Sequence, residues 1–440
     1  MIPSHELLPQ PSAYPAEWRQ ALSEGDLQGL RRLAENDLPG ASLLQMESHI
    51  NGMYAGASSP LAVAGAAEIA RASVAPVHDV VRALRKQLGW QAREFDLALL
   101  RMVRQSSALS PVLGAGVSMG AGGPSWSTLV RRLLEITLER GLELRGPVKR
   151  TEQVNDDGSQ HVSVEFGVVD ARHYTDAQRA QAQEVLVAVR QHGSATDVET
   201  LMRGAQLCLD LCGQELFRLV TGELYGSMKA PSPTHHAIAK LAGAQHVPGR
   251  GPKPLPGWDT IITYNFDSLM SEALAEARFP HVACAVRTDS IVTDPDALSR
   301  TSDWHVPIYH LHGYTPRRLF LITDTRFVFS TSQYLQAYKD QRLPMLRHVV
   351  DRVLANPVHI ALYIGCSFAD DAMNGLLAQA FERWPGRYHY ALLQWPHRRD
   401  GREPSVDEVE AEAAKYLACG VRPVWFDDFA ELPDIVAGLE

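Results

Sequence analysis

SALSPVLGAGVS, residues 107–118, joins a short apolar run to a turn that carries Gly114 and Gly116. A run of that length ending in a glycine turn reads as a buried strand, and Leu129, Val130, Leu133, Leu134 and Leu138 then recur at helical spacing. Strand, turn and helix in that order form the opening unit of a parallel α/β sheet. The alternation returns downstream, where DTIITYN, VACAV, PIYHLHG, RFVFS, VHIALYIG, YHYALL and VRPVWF read as strands. Helical patterns separate several of them, around residues 333–355, 370–382 and 405–418. The fold class expected is therefore α/β, a Rossmann-like parallel sheet with flanking helices.

On either side of this opening unit the pattern changes. TEQVNDDGSQHVSVEF places DDG between two alternating runs and predicts a β-hairpin. Residues 175–243 carry Ala and Leu on repeating faces, so 145–245 reads as a mostly helical insertion opened by that hairpin. Upstream, residues 1–105 read as helices alone. Trp18, Leu22, Leu27, Leu30 and Leu33 form one stripe, Val77, Val80, Val81, Leu84 and Leu88 a second, and Phe95, Leu97, Leu99, Leu100 and Val103 a third. This all-helical segment holds no group suited to chemistry and reads as an oligomerisation or docking region ahead of a catalytic domain at 106–440.

The bulk composition narrows the classes. A net charge of −9, from 42 basic and 51 acidic residues interspersed along the chain, gives no concentrated basic face for nucleic acid. The smoothest apolar stretch, Ser59 to Val77, is broken by Glu68 and Arg71, well short of the ~20-residue span a membrane requires. The opening MIPSHELLPQPSAYP has neither a basic start nor an apolar run, which predicts a soluble, cytoplasmic protein. Five cysteines at irregular spacing, Cys208 and Cys212 among them, fit reduced core thiols.

Four segments at predicted strand ends carry chemistry. In Gly114-Ala115-Gly116-Val117-Ser118 the glycines let backbone approach a phosphate, with a following helix N-terminus to favour the charge; a plain tight turn has the same composition. Thr263-Tyr-Asn265-Phe-Asp267 follows a strand, where α/β sheets bind ligands, although Asp267 also suits a helix N-cap and Asn265 a turn. His310-Leu-His312-Gly313 places two histidines on one face of a strand, with His312 at the exit, where a catalytic base belongs. Gly365-Cys-Ser367 with Asp370 ends another strand, either as a strand–helix turn or as a second nucleotide contact.

Taken in order, GAGVS, T-x-N-x-D, L-H-G and G-x-S-x-x-D resemble the sirtuin superfamily, and most closely its bacterial sirtuin-like NADase branch. Pro124 and Trp126, FVFSTSQY and VRPVWFDDFAEL extend the resemblance over residues 106–440. The resemblance implies NAD as substrate. Asn265 would orient the ribose and a water, His312 would act as base, and Asp267 would bind the nicotinamide carboxamide. Gly114, Ala115, Gly116 and Ser118 would hold the pyrophosphate, with Trp126 and Thr263 beside them, and Gly365, Ser367 and Asp370 would line the adenosine end. Deacetylating sirtuins carry a zinc module of CxxC pairs, and this chain has no CxxC. The resemblance therefore implies NAD+ glycohydrolysis without a metal, in an NAD-depleting effector of anti-phage defence that acts as a homo-oligomer or with a partner ATPase or sensor. An NAD-dependent deacylase or ADP-ribosyltransferase is the first alternative, and a catalytically silent nucleotide-binding scaffold is the second.

Overall fold

The computed structural model describes residues 108–139, 144–154, 160–169, 175–193, 196–213, 215–242, 244–245, 255–256, 258, 260–285, 306–317, 328–338, 349–354, 359–369, 371–384, 388–396 and 404–439, with Leu97 and Leu100. Of the expected N-terminal helices only Leu97 and Leu100 fall among these residues, and both are helical and buried. The docking role assigned to 1–105 lies outside them.

Seven strands form one sheet in the order β11-β10-β9-β1-β6-β8-β7. They are β1 (Ala108–Leu113), β6 (Ile261–Thr263), β7 (His281–Ala285), β8 (Val306–His310), β9 (His359–Ile364), β10 (His389–Gln394) and β11 (Val421–Phe426). β9, β10 and β11 run parallel, as do β7 and β8. β9 and β11 are buried nearly end to end, as expected of strands covered on both faces. Strand order reverses at β1, since the chain builds β6, β7 and β8 on one side of it before starting β9 on the other. Two short ladders lie outside the sheet, the hairpin of β2 (Leu144–Val154) with β3 (Gln160–Val169), and β4 (Ala244–Gln245) with β5 (Leu255–Pro256).

The chain divides into two compact units. The first holds the described residues of Met1–Val112, Ala237–Ile261 and His348–Glu440. Its helices include α9 (Asp371–Arg383) and α10 (Val406–Leu417), and α10 starts on a capping box in which the Ser405 hydroxyl accepts from the Glu408 amide and Glu408 accepts from the Ser405 amide. α10 packs on β11, and the turn between them passes through Gly420 at φ +71°, where a Cβ would lie 2.7 Å from the Phe381 ring.

The second unit comprises Leu113–His236 and Ile262–Arg347. It contains α1 (Ala115–Met119), α2 (Trp126–Glu139), α3 (Asp176–His192), α4 (Val198–Cys212), α5 (Glu215–Ser227), α7 (Leu269–Glu276) and α8 (Thr331–Tyr338), with the first half of the helix at Pro233–Lys240, α6. α3 and α4 begin at Thr175 and Asp197, whose side chains accept from backbone amides three residues on. The stripe read from the sequence on α2, Leu129, Val130, Leu133 and Leu134, meets Val185 and Val189 of α3 and Leu201, Leu207, Cys208 and Leu211 of α4. Burial of each such side chain stabilises by about 1.5–3 kcal/mol. Phe266, Leu269 and Phe329 belong to the same core. The helices of the expected insertion are thus packed on the segments that carry the sequence motifs.

One strand expectation needs correction. RFVFS is a short apolar run that reads as a strand, but its described part, Val328–Ser330, enters no ladder and leads into α8. The Gln333 side chain accepts from the Phe329 and Ser330 amides, and Phe329 stacks edge-on against Trp126 at 4.7 Å. Helix capping and core packing therefore account for Val328–Ser330 without a sheet neighbour.

Gly204 marks the tightest helix crossing, since a Cβ there would lie 2.8 Å from Val130 Cγ1 and 3.0 Å from Val185 Cγ1. Gly204→Val is expected to destabilise the second unit by about 1–3 kcal/mol through overpacking. Urea unfolding measures this, and an unchanged midpoint would show that α4 does not bear on α2 and α3 there.

Candidate active site

Three strand ends in the second unit are laced together by backbone. The Tyr264 amide donates to Leu113 O at the end of β1, and the Leu311 amide donates to Thr263 O at the end of β6. Thr263 is buried and adds a side-chain bond, its hydroxyl donating to Leu113 O at 3.4 Å while accepting from the Asn265 amide at 3.0 Å. After β1 the chain runs through Gly114 into α1, which buries Val117 and Ser118.

Asn265, Ser118 and Asp267 meet in a directed chain of hydrogen bonds. Asn265 Nδ2 donates to Gly114 O and to Ser118 Oγ, both at 2.9 Å, and Ser118 Oγ donates to Asp267 Oδ2 at 2.7 Å. A carbonyl accepts only from the NH2 side of an amide, so the contact with Gly114 O fixes which way the Asn265 amide faces. Both Nδ2 hydrogens are then committed, and Oδ1 remains as the acceptor available to a ligand. Asp267 is buried, and its other oxygen accepts from the Leu269 amide at 3.0 Å, capping α7. Burial raises the Asp267 pKa, while the bonds from Ser118 and Leu269 pull it down, as does the nearby His310.

The two histidines of HLHG have different surroundings. His310, the last residue of β8, is buried, and its Nδ1 lies 3.1 Å from Asn265 O. That carbonyl requires a proton on Nδ1, which makes Nε2 the unprotonated nitrogen; Nε2 is shielded from solvent and accepts from no group among the described residues. Burial pushes the His310 pKa down to about 4, so the ring is neutral at neutral pH. His312 lies past the strand end, half-buried, with its ring centroid 5.1 Å from that of Tyr264. The sequence reading put both rings on one strand face, but the strand stops at His310 and only His312 has solvent access.

The remaining expected contacts divide between the two units. In the second, Ala115 is exposed and Gly116 half-buried, so this turn presents backbone to solvent. Trp126 packs against the helical core through Phe329. The Ser118 hydroxyl faces inward to Asp267 and Asn265. In the first unit, Gly365 takes φ +68° directly after β9, Ser367 is exposed, and Phe368 holds φ +54°. A left-handed aromatic residue is strained, and Asn374 Nδ2 steadies it by donating to Phe368 O at 2.7 Å. Cys366 donates to Val112 O, and burial pushes its thiol up to about 12, which removes it as a nucleophile. Asp370 lies outside the described residues.

Several supporting residues carry no motif signal. Ser232 Oγ donates to Val117 O at 3.1 Å and so fixes the C-terminal half of α1. His235 Nδ1 accepts from the Ser232 amide at 3.1 Å, and burial pushes that histidine down to about 3. Phe266 points into the helical core between Asn265 and Asp267. PSPTHH, at residues 231–236, was the only available pointer to the first two.

Residues 259–417 match the family model described as the SIR2-like domain. The match supports membership of the sirtuin superfamily. It takes in Asn265, Asp267, His312, Gly365 and Ser367, and SIR2-like domains use NAD. Gly114–Ser118 precedes the matched span but is bonded directly to Asn265. No curated protein matches the chain. Among the described residues, no group of three or more His, Cys, Asp or Glu is placed to hold a metal ion, and no helix is long and apolar enough to cross a membrane.

The buried histidines set an acid limit. His310 and His235 have folded pKa values of about 4 and about 3 against an ordinary 6.5. The unfolded chain therefore takes up nearly two extra protons as pH falls below 6.5, and stability drops. Asp267 has the opposite sign, because a raised carboxyl favours the folded state as pH falls, and it offsets at most one of those protons. Lowering pH from 7 to 5 is expected to reduce stability by roughly 1–3 kcal/mol per pH unit below 6.5. His310→Gln should lessen that slope. Denaturant midpoints across this range, if flat for the unsubstituted protein, would contradict the assignment of two buried neutral histidines.

Proposed function

We propose that the protein is an NAD+ glycohydrolase that cleaves the nicotinamide–ribose bond to nicotinamide and ADP-ribose. The observation that carries this reading is the Asn265 amide, held by Gly114 O and Ser118 Oγ with Oδ1 left for a ligand, at the carboxyl ends of β1 and β6. The residues present suit a dinucleotide. Ala115 and Gly116 offer accessible backbone, and Oδ1 of Asn265 offers an acceptor for a ribose hydroxyl or for water.

The leaving nicotinamide is cationic in NAD+ and departs neutral, so the protein need not protonate it. What must be stabilised is positive charge developing on the ribose. Asn265 orients a water or ribose hydroxyl through Oδ1. His312, on the solvent-accessible side of the β8 exit, takes the proton as general base. Asp267 acts from behind, holding Ser118 and through it Asn265; its negative charge also favours a cationic transition state. In this arrangement Asp267 positions the amide, and its burial sets it back from the carboxamide contact that the resemblance implies.

The absence of CxxC favours hydrolysis over protein deacylation. The defence role, a homo-oligomer and docking to a partner ATPase or sensor through residues 1–105 belong to the same proposal. They rest on the apolar stripes of that segment and on the cell's need to restrain an NAD-consuming enzyme.

Incubation of the full chain with NAD+, followed by chromatography, should show nicotinamide and ADP-ribose in equal amounts without any protein acceptor. Asn265→Ala and His312→Ala should each lower turnover by ~10²–10⁴ while unfolding at the parent temperature. Turnover only in the presence of an acyl-lysine peptide would point to the deacylase, and NAD+ bound but intact would point to the silent scaffold.

A further inference from the structure

We propose that Tyr225, on α5 of the helical region, is a positioning residue that holds the Asp267 and His312 loops in working register; this rests on the NAD-cleaving reading. Its hydroxyl lies between the two loops. It accepts from the Ser268 amide at 2.7 Å, donates to Thr315 O at 2.7 Å, and sits 2.9 Å from Ser268 Oγ. Ser268 directly follows Asp267, and Thr315 is three residues beyond His312. One phenol therefore spans the segments that carry the carboxylate and the base.

The phenol is itself braced. The Arg317 guanidinium lies 4.7 Å from the centre of its ring. Arg317 also donates to both Glu272 oxygens, at 3.2 and 3.1 Å, and to Met228 O at 2.8 Å. Glu272 accepts from Ser268 Oγ at 2.6 Å, which closes the circuit on the residue that Tyr225 holds. One turn earlier on α5, Thr221 Oγ1 lies 2.6 Å from Thr315 Oγ1 in a buried pair. α5 thus grips the β8 exit at two points and the β6 exit at one. Burial and the Asp267 charge push the Tyr225 pKa well up, so the group stays a neutral donor throughout the working range.

Oriented groups contribute to rate through placement, and a displacement of about 1 Å costs on the order of 10²-fold. Tyr225 touches neither Asn265 nor the Gly114 turn, so its removal should disturb turnover more than binding.

Tyr225→Phe removes the hydroxyl and keeps the ring under Arg317. The expected result is a kcat for nicotinamide release lower by about 10–100-fold, with KM for NAD+ within about 2-fold of the parent. Amide hydrogen exchange should quicken within residues 264–268 and 311–315 and stay unchanged in α2–α4. Equal kcat in the variant and the parent would overturn the proposal, and so would a loss shared equally by kcat and the thermal transition. If Tyr225→Phe is too unstable for kinetics, Arg317→Met leaves the hydroxyl and removes its brace, and the same split between kcat and KM is required. A parent protein that leaves NAD+ intact under every condition would sink the glycohydrolase reading instead. Exchange then decides the positioning claim alone, and unaltered protection of both loops in Tyr225→Phe would refute it.

Discussion

A carboxylate without access to water must be met by donors, and in this protein that requirement organises the candidate site. Asp267 is satisfied by the Ser118 hydroxyl on one oxygen and the Leu269 amide on the other. Losing a partner of a buried charge costs several kcal/mol, so Ser118 is drawn inward. Once it is there, its oxygen becomes the acceptor that orients Asn265. The carboxylate therefore acts through two relays. One fixes the Asn265 amide, and the other bonds the first amide of α7 so that the chain leaves the β6 turn in a single direction.

The same turn is secured from the opposite side by packing. Asn265 and Asp267 face α1, while Phe266 between them enters the core built by α2–α5. A polar chain on one face and an apolar anchor on the other hold the segment with little slack, as a pre-organised electrostatic site requires. The helical region is thus not a separable addition. It shares a core with the motif segments, and α4 reaches the entry to α8 through Gln206, which accepts from the Ser332 amide.

The parts legible in the sequence were those set by local pattern. Strand ends, glycine turns and the helical stripe of α2 follow from periodicities of two and 3.6 residues, and the structure places them at β1, β6, β8, β9 and α2. The NAD link came from four ordered segments, three of which lie inside the SIR2-like match. Roles set by long-range partners were hidden. Ser118 and Asp267 are 149 residues apart, and Tyr225 and Thr315 are 90 apart; nothing in local spacing announces such pairs. The inward turn of Ser118 and the buried, neutral state of His310 depend on neighbours brought by other elements. RFVFS misled for a related reason, since Phe329 is apolar in order to fill a helical core and not to join a ladder.

In the proposed glycohydrolysis, water placed by Asn265 and deprotonated by His312 takes the position nicotinamide leaves. Reaction with NAD+ in H2¹⁸O and mass spectrometry of the products test this most directly. The expected product is ADP-ribose carrying one ¹⁸O at the former glycosidic carbon, in amounts matching the free nicotinamide. Nicotinamide released without labelled ADP-ribose, with the ADP-ribosyl group on a protein or acyl acceptor, would contradict it.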